Sequence, residues 1–128
     1  MTAAARLERI LIQADFDRFA RISGDFNPIH VDAVFCARTR FGRPVAHGLL
    51  LISILGGLTQ GLRPGWRMTQ QVIRFPAPTF ADELMIFEVR FEAEDAEEAR
   101  YACRVARADG DIVTCDGVIG LGRPGALA

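Results

Sequence analysis

The chain has 128 residues, 15 of them basic and 16 acidic, with a net charge of −1 and no block of like charge. That balance leaves no broad electrostatic footprint for nucleic acid or an anionic membrane surface. Every basic residue is Arg, so Schiff-base chemistry and a phosphate-gripping P-loop lysine are excluded for want of an ε-amine.

A length of 128 residues fits one domain, read as 1–128, which can fold without metal or disulfide staples. Cys36, Cys103 and Cys115 are odd in number and match no zinc or redox spacing, which points to a reducing, cytoplasmic setting. Residues 1–8 lack the apolar core of a signal peptide, and no apolar run reaches the ~20 residues of a membrane span. A soluble protein is expected.

In chain order, a ragged start leads to the short apolar run Ile10-Leu11-Ile12. Asp15 is placed to cap a helix carrying Phe16, Phe19, Ala20 and Ile22 at helical spacing, and Gly24 ends it. Residues 23–29 are turn formers with Pro28 among them, which puts Asp25 and Asn27 on a loop. Residues 31–40 read as a further short helix closed by Gly42 and Pro44.

His47-Gly48 then opens the most apolar stretch, which runs to Leu62. Its leucines and isoleucines occupy nearly every side of a helical wheel, so a buried central helix is expected, weakened at Gly56-Gly57 and stopped by Gly61 and Pro64. Beyond Pro64 the period changes to two. Strands are expected over 66–75, over 84–92 with Met85, Phe87, Val89 and Phe91 on one face, and over a third run with Ala99, Tyr101, Cys103 and Val105 inward and Arg100, Arg104 and Arg107 outward. Asp109-Gly110 reads as a hairpin turn into a fourth strand over 111–121. An α+β domain follows, with an antiparallel sheet wrapped around one helix. Such a sheet leaves an edge or face that pairing of two subunits would cover.

Asp25-Phe26-Asn27-Pro28-Ile29-His30 sets a carboxylate and an imidazole five positions apart across a Pro-stiffened turn. Addition of water across an α,β-unsaturated thioester needs a base to activate water for attack at C3 and an acid to protonate C2, and such a pair can supply both. The same residues also make a good turn in their own right, and His30 could be a capping residue. Gly48 opens a helix, where an N–H can meet the enolate charge that this attack builds on the thioester oxygen.

The run from Phe19 to His30, continued by Arg43-Pro44-Val45-Ala46-His47-Gly48-Leu49, resembles the hydratase-2 signature of the MaoC-like and R-specific enoyl-CoA hydratases, and the likeness extends through Arg74-Phe75-Pro76-Ala77-Pro78. The resemblance implies a hot-dog fold assembled as a homodimer or higher homo-oligomer. It implies Asp25 and His30 as catalytic residues supported by Asn27, and the Gly48 N–H as oxyanion donor. It puts Pro44, His47, Leu49, Phe75 and Pro76 at the substrate, with His47 making a structural hydrogen bond rather than transferring a proton. The substrate it implies is an acyl-CoA or an acyl thioester of a carrier protein, with no metal, no further cofactor, no nucleic acid and no membrane partner.

Two departures bear on substrate choice: residues 78–82 lack the glycine usual before the strand, and Gly56 stands where some members have a polar residue. Arg63, Arg67 and Arg74 are the candidates for CoA phosphates. The rival readings are a hot-dog thioesterase, which attacks the carbonyl carbon instead, and a non-catalytic acyl-thioester binder.

Overall fold

A computed structural model describes residues 3–125. Strand β1 (Ala4–Ile10) leads into helix α1 (Gln13–Ser23), the one-turn helices α2 (Pro28–Val31) and α3 (Ala33–Cys36), and the long helix α4 (Gly48–Leu62). Four strands follow: β2 (Arg67–Arg74), β3 (Leu84–Glu94), β4 (Glu98–Arg107) and β5 (Val113–Gly122). They form one antiparallel sheet in the order β1-β3-β4-β5-β2.

The sheet curls around one face of α4. Leu51 and Leu55 from the helix meet Met85, Phe87, Val89, Tyr101, Val105, Ile119 and Leu121 from β3, β4 and β5 in one buried cluster, joined by Leu11 and Phe16. The period-two pattern of the sequence thus supplies the inner face of the sheet. Each such side chain, fully buried, contributes about 1.5–3 kcal/mol. This is the hot-dog arrangement.

The outer face is organised by charge. The strand register places Arg6, Glu88, Arg104, Asp116 and Arg74 side by side in one row across all five strands. Opposite charges on neighbouring strands attract at this spacing. Arg74 makes a two-pronged pair with Asp116, and Arg104 lies 3.8 Å from Glu88.

Several expectations are corrected. The ragged start is the edge strand β1, whose alternation of Ala5 and Leu7 inward with Arg6 and Glu8 outward was obscured by its charges. Asp15 is not the cap of α1: the helix begins at Gln13, and the Asp15 carboxylate reaches back to accept the Ile12 N–H at 2.9 Å. Phe16 and Ala20 face the core, whereas Ile22 falls off that stripe and is 77% exposed.

Residues 31–40 do not make one helix. Asp32 breaks the chain with extended backbone and starts α3 afresh, its carboxylate accepting the Phe35 N–H. Helix α4 is not buried all round: Leu51, Leu55, Gly56 and Thr59 are buried, but Leu49 is 57% exposed, because within one chain the sheet covers a single side.

In the sheet, Phe91 lies partly exposed against the edge of Tyr101. Arg107 turns inward rather than outward: it continues the alternation of Ala99, Tyr101, Cys103 and Val105, opposite the buried Met85, and its guanidinium bonds Pro78 O and pairs with Glu83. The Asp109-Gly110 turn is longer than a two-residue hairpin, with Gly110 and Asp111 both at positive φ and β5 starting at Val113. Among the described residues no helix is long and apolar enough to cross a membrane.

Candidate active site

The segment after α1 is shaped by short-range side-chain bonds. Gly24 ends the helix at φ 81°, in the left-handed region that suits glycine. Ser23 Oγ accepts the Asp25 N–H, Asp25 Oδ1 accepts the Asn27 N–H, and Asn27 Oδ1 accepts the Ile29 N–H, at 3.1, 3.1 and 3.2 Å. Each bond spans two residues and holds the chain in a turn that water would otherwise loosen. Asn27 is thereby the N-cap of α2, with Pro28 as its first residue.

This turn delivers His30 into the interior. Gln13 Nε2 donates to His30 O at 2.9 Å, and the His30 Nδ1 lies 2.8 Å from Val45 O. A carbonyl only accepts, so Nδ1 carries a proton and Nε2 is the nitrogen left to exchange one. That nitrogen faces Asp25 Oδ2 at 3.8 Å. The gap is too long for a direct hydrogen bond and leaves both groups able to handle the same proton. Asp25 is half-exposed at the rim, whereas His30 is buried.

His47 backs the pair. Its ring stacks on His30 at 3.9 Å between centroids and 24° between planes, with Phe19 4.9 Å away on a tilt. Its Nε2 lies 3.0 Å from Asp25 O, to which it donates. Burial pushes this imidazole below the usual histidine range despite that carbonyl and the nearby Asp25 charge, so it stays neutral. Its buried Nδ1 has no partner among the described residues.

Carboxylate and imidazole atoms of Asp25, His30 and His47 lie within 4.8 Å of one another, a spacing that a metal ion could use. The two rings, however, are nearly parallel, so their lone pairs lie in separate planes, and one nitrogen of each is held by a carbonyl. The arrangement suits proton transfer better than coordination.

Gly48 is the first residue of α4, whose N-terminus no side chain caps, so the opening amides of the helix are available to a ligand. A Cβ at this position would stand 2.7 Å from the Phe75 ring. Glycine is what lets that ring and the helix start share one wall.

A cavity of about 340 Å³ opens here, lined among others by His30, Gly48, Leu51, Phe75 and Pro76. Of the expected site residues, His30, Gly48, Phe75 and Pro76 line the cavity, and Asp25 and His47 stand against His30 just outside its lining. Asn27 turns its side-chain oxygen to the backbone of α2, while Pro44 and Leu49 do not line the cavity. Leu49 points outward because α4 turns its other side to the core.

Two polar residues of the wall, Arg40 and Thr114, escaped the sequence reading, and Thr114 is partnered there by Thr79. The two threonines are buried and bond to each other at 2.8 Å. Thr114 is the extra residue of the bulge in β5, between Val113 and Cys115, which pair with Ala106 and Val105. No turn or periodicity signal marks such an insertion. Arg40 could have been noticed as a charge beside an apolar segment.

Arg63 and Arg74 bind carboxylates away from this cavity, Arg63 to Glu94 and Arg74 to Asp116, and Arg67 does not line it. All three cysteines are free and buried. Burial pushes the Cys103 thiol up to about 11 and Cys115 to about 12, with the Asp116 charge adding to both, so neither supplies a thiolate near neutral pH.

Fold and site together define a hot-dog protein with a carboxylate–imidazole pair beside the start of its central helix. The family described as "MaoC like domain" matches residues 1–109, and the chain belongs to that family. The (R)-specific enoyl-CoA hydratase of Aeromonas caviae is 36% identical over 122 residues, covering 91% of each chain. The 3-hydroxybutyryl-CoA dehydratase of Methylorubrum extorquens is 36% identical over 119 residues, 87% of this chain and 72% of that one. Among solved structures, the (R)-hydratase from A. caviae superposes with a TM-score of 0.87 at 30% identity, over 97% of this chain and 98% of that one.

Proposed function

We propose that this chain is an (R)-specific hydro-lyase that reversibly adds water to a trans-2-enoyl-CoA to give the (3R)-hydroxyacyl thioester. The observation that carries this reading is His30 Nε2 facing Asp25 Oδ2 at 3.8 Å, with His30 in the wall of a cavity that Gly48 also lines. The 36% identity to an (R)-specific enoyl-CoA hydratase supports it.

The thioester carbonyl accepts the Gly48 N–H, where the helix N-terminus stabilises the oxyanion. Water held between Asp25 and His30 attacks C3 and loses one proton to the pair. The C2=C3 electrons move onto the thioester as an enolate, which takes one proton back from the pair at C2. One proton leaves the water and one returns to the product, so the pair ends as it began, and no metal or redox group is needed for the balance. Dehydration runs the same steps backwards. His47 and Asn27 position the pair, the first through Asp25 O and a stacked ring, the second by capping the helix that carries His30.

A homodimer belongs to the same proposal. The side of α4 bearing Leu49 is uncovered, and the edge strand β2 presents Val72 at 68% exposure. A second copy would cover such surfaces.

The test is loss of enoyl absorbance on trans-2-butenoyl-CoA, with the product's configuration determined. Turnover to the (3R)-alcohol that disappears in Asp25→Asn and His30→Ala is the expected result. Release of free CoA thiol instead would make the protein a thioesterase.

A further inference from the structure

Two concave surfaces of the molecule treat arginine differently. The larger, about 840 Å³ on the outer face of the sheet, is lined by Arg6, Arg74, Arg90 and Arg104, but Glu88 and Asp116 stand among them. There the charges largely answer one another within the row described above. The smaller cavity, which holds His30 and Gly48, has a single arginine in its wall, Arg40, and no aspartate or glutamate.

Arg40 makes no ion pair among the described residues, unlike the neighbouring Arg43, which pairs with Glu83. Its guanidinium instead lies 5.0 Å from the centre of the Phe41 ring, a cation–π contact that supports a cation without neutralising it. The turn that carries it is pinned: Thr39 Oγ1 donates to Cys36 O at 2.8 Å and accepts the Phe41 N–H at 3.2 Å. An exposed guanidinium on a pinned turn, in the wall of a pocket that carries no carboxylate, raises the local concentration of anions and offers them a forked donor.

We propose that Arg40 is the anion-recognition residue of this cavity and pairs with the negative group of the thioester substrate. The proposal rests on the hydratase reading. Two groups share the required chemistry: a phosphate of the carrier arm, or a carboxylate at the far end of the acyl chain. Arg40 touches no reacting atom, so it acts on binding and leaves the chemical step alone.

Three substrates separate the sources: trans-2-butenoyl-CoA, trans-2-butenoylpantetheine, which lacks the phosphates, and glutaconyl-CoA, which adds a terminal carboxylate. They are to be compared in the wild type, Arg40→Ala and Arg40→Lys. The expected result is a KM raised at least tenfold in Arg40→Ala with kcat changed less than about twofold, partial recovery in Arg40→Lys, and a wild-type KM that climbs with ionic strength while the variant's does not.

If the two CoA substrates suffer alike and the pantetheine substrate is untouched, the anion is a carrier phosphate. If only glutaconyl-CoA suffers, it is the acyl carboxylate. An unchanged KM for all three, or an equal loss on all three including the uncharged one, overturns the proposal. Should the wild type turn over no enoyl thioester, the hydratase reading fails separately. Calorimetric binding of the matching saturated thioesters to wild type and Arg40→Ala then decides the role of Arg40 by the same pattern.

Discussion

The two ends of α4 are built on opposite plans. At its start no side chain caps the helix, Gly48 opens onto a cavity, and an unpartnered imidazole nitrogen of His47 lies beside it. At its finish the side chains interlock: Arg63 donates to Tyr101 Oη at 2.8 Å and to Glu94 at 2.6 Å, Arg123 closes on Glu94 at 2.7 Å, and both guanidiniums lie within 5 Å of the Trp66 ring centre. One end holds unsatisfied donors for a ligand, and the other fixes the helix in the sheet. Binding capacity and anchorage are thus separated by the length of one helix, so substitutions at the two ends should be read out by different measurements.

The largest effect is expected at the open end. Asp25→Asn and His30→Ala should each lower kcat by about a thousandfold, within the range that general acid–base groups supply. The double variant should be little worse than either single one, because the pair acts as a unit. A clearly additive loss would mean that the two residues serve separate steps.

Next comes Gly48→Ala, whose Cβ would press on Phe75 at 2.7 Å. A drop in kcat of about ten- to a hundredfold is expected, in the range seen when an oxyanion donor is displaced. Phe75→Leu in the same chain should recover part of it by making room. Failure of that rescue would place the fault in the helix start itself.

Arg63→Ala at the closed end should leave kcat and KM within about twofold of wild type while lowering Tm by about 4–8 °C, as expected for roughly 1–2 kcal/mol in a chain of this size. A selective loss of activity would show that the anchorage reaches the site.

The smallest effect concerns His47. Burial lowers its folded pKa beneath the ordinary 6.5. The unfolded chain therefore takes up a proton there before the folded one does. The stability this residue contributes is full above about pH 6.5 and declines as the pH falls through that value towards its folded pKa. Thermal melts between pH 7.5 and 5.5 should show a smaller fall for His47→Phe, which keeps a stacked ring without the titrating nitrogen. An equal fall would assign the pH dependence to other groups.

Much of this was legible in the residues. The change from helical to alternating period located α4 and the inner faces of β3 and β4, because burial on one side imposes those periods. The Asp25…His30 spacing was readable because the bonds among Ser23, Asp25, Asn27 and Ile29 that turn the chain are local. What could not be read depends on contacts distant in sequence. The strand character of residues 4–10 comes from pairing with residues 84–90. Arg107 can sit on the inner face because Pro78 O and Glu83, both distant in sequence, receive its guanidinium. That Leu49 faces out depends on where the sheet stops. Arg40 enters the cavity through the placement of a loop that no pattern of hydrophobicity encodes.

The bulge at Thr114 also bears on how this pocket could change over evolution. Because Thr114 is an extra residue in β5, deleting it would let Val113 and Cys115 follow one another without a break while each kept its present partner, Ala106 and Val105. The hydroxyl pair in the cavity wall would vanish while the rest of the sheet kept its register. A single codon deletion would thus take one buried hydroxyl out of this wall and leave that of Thr79 without its partner, a change of polarity and of shape in one step.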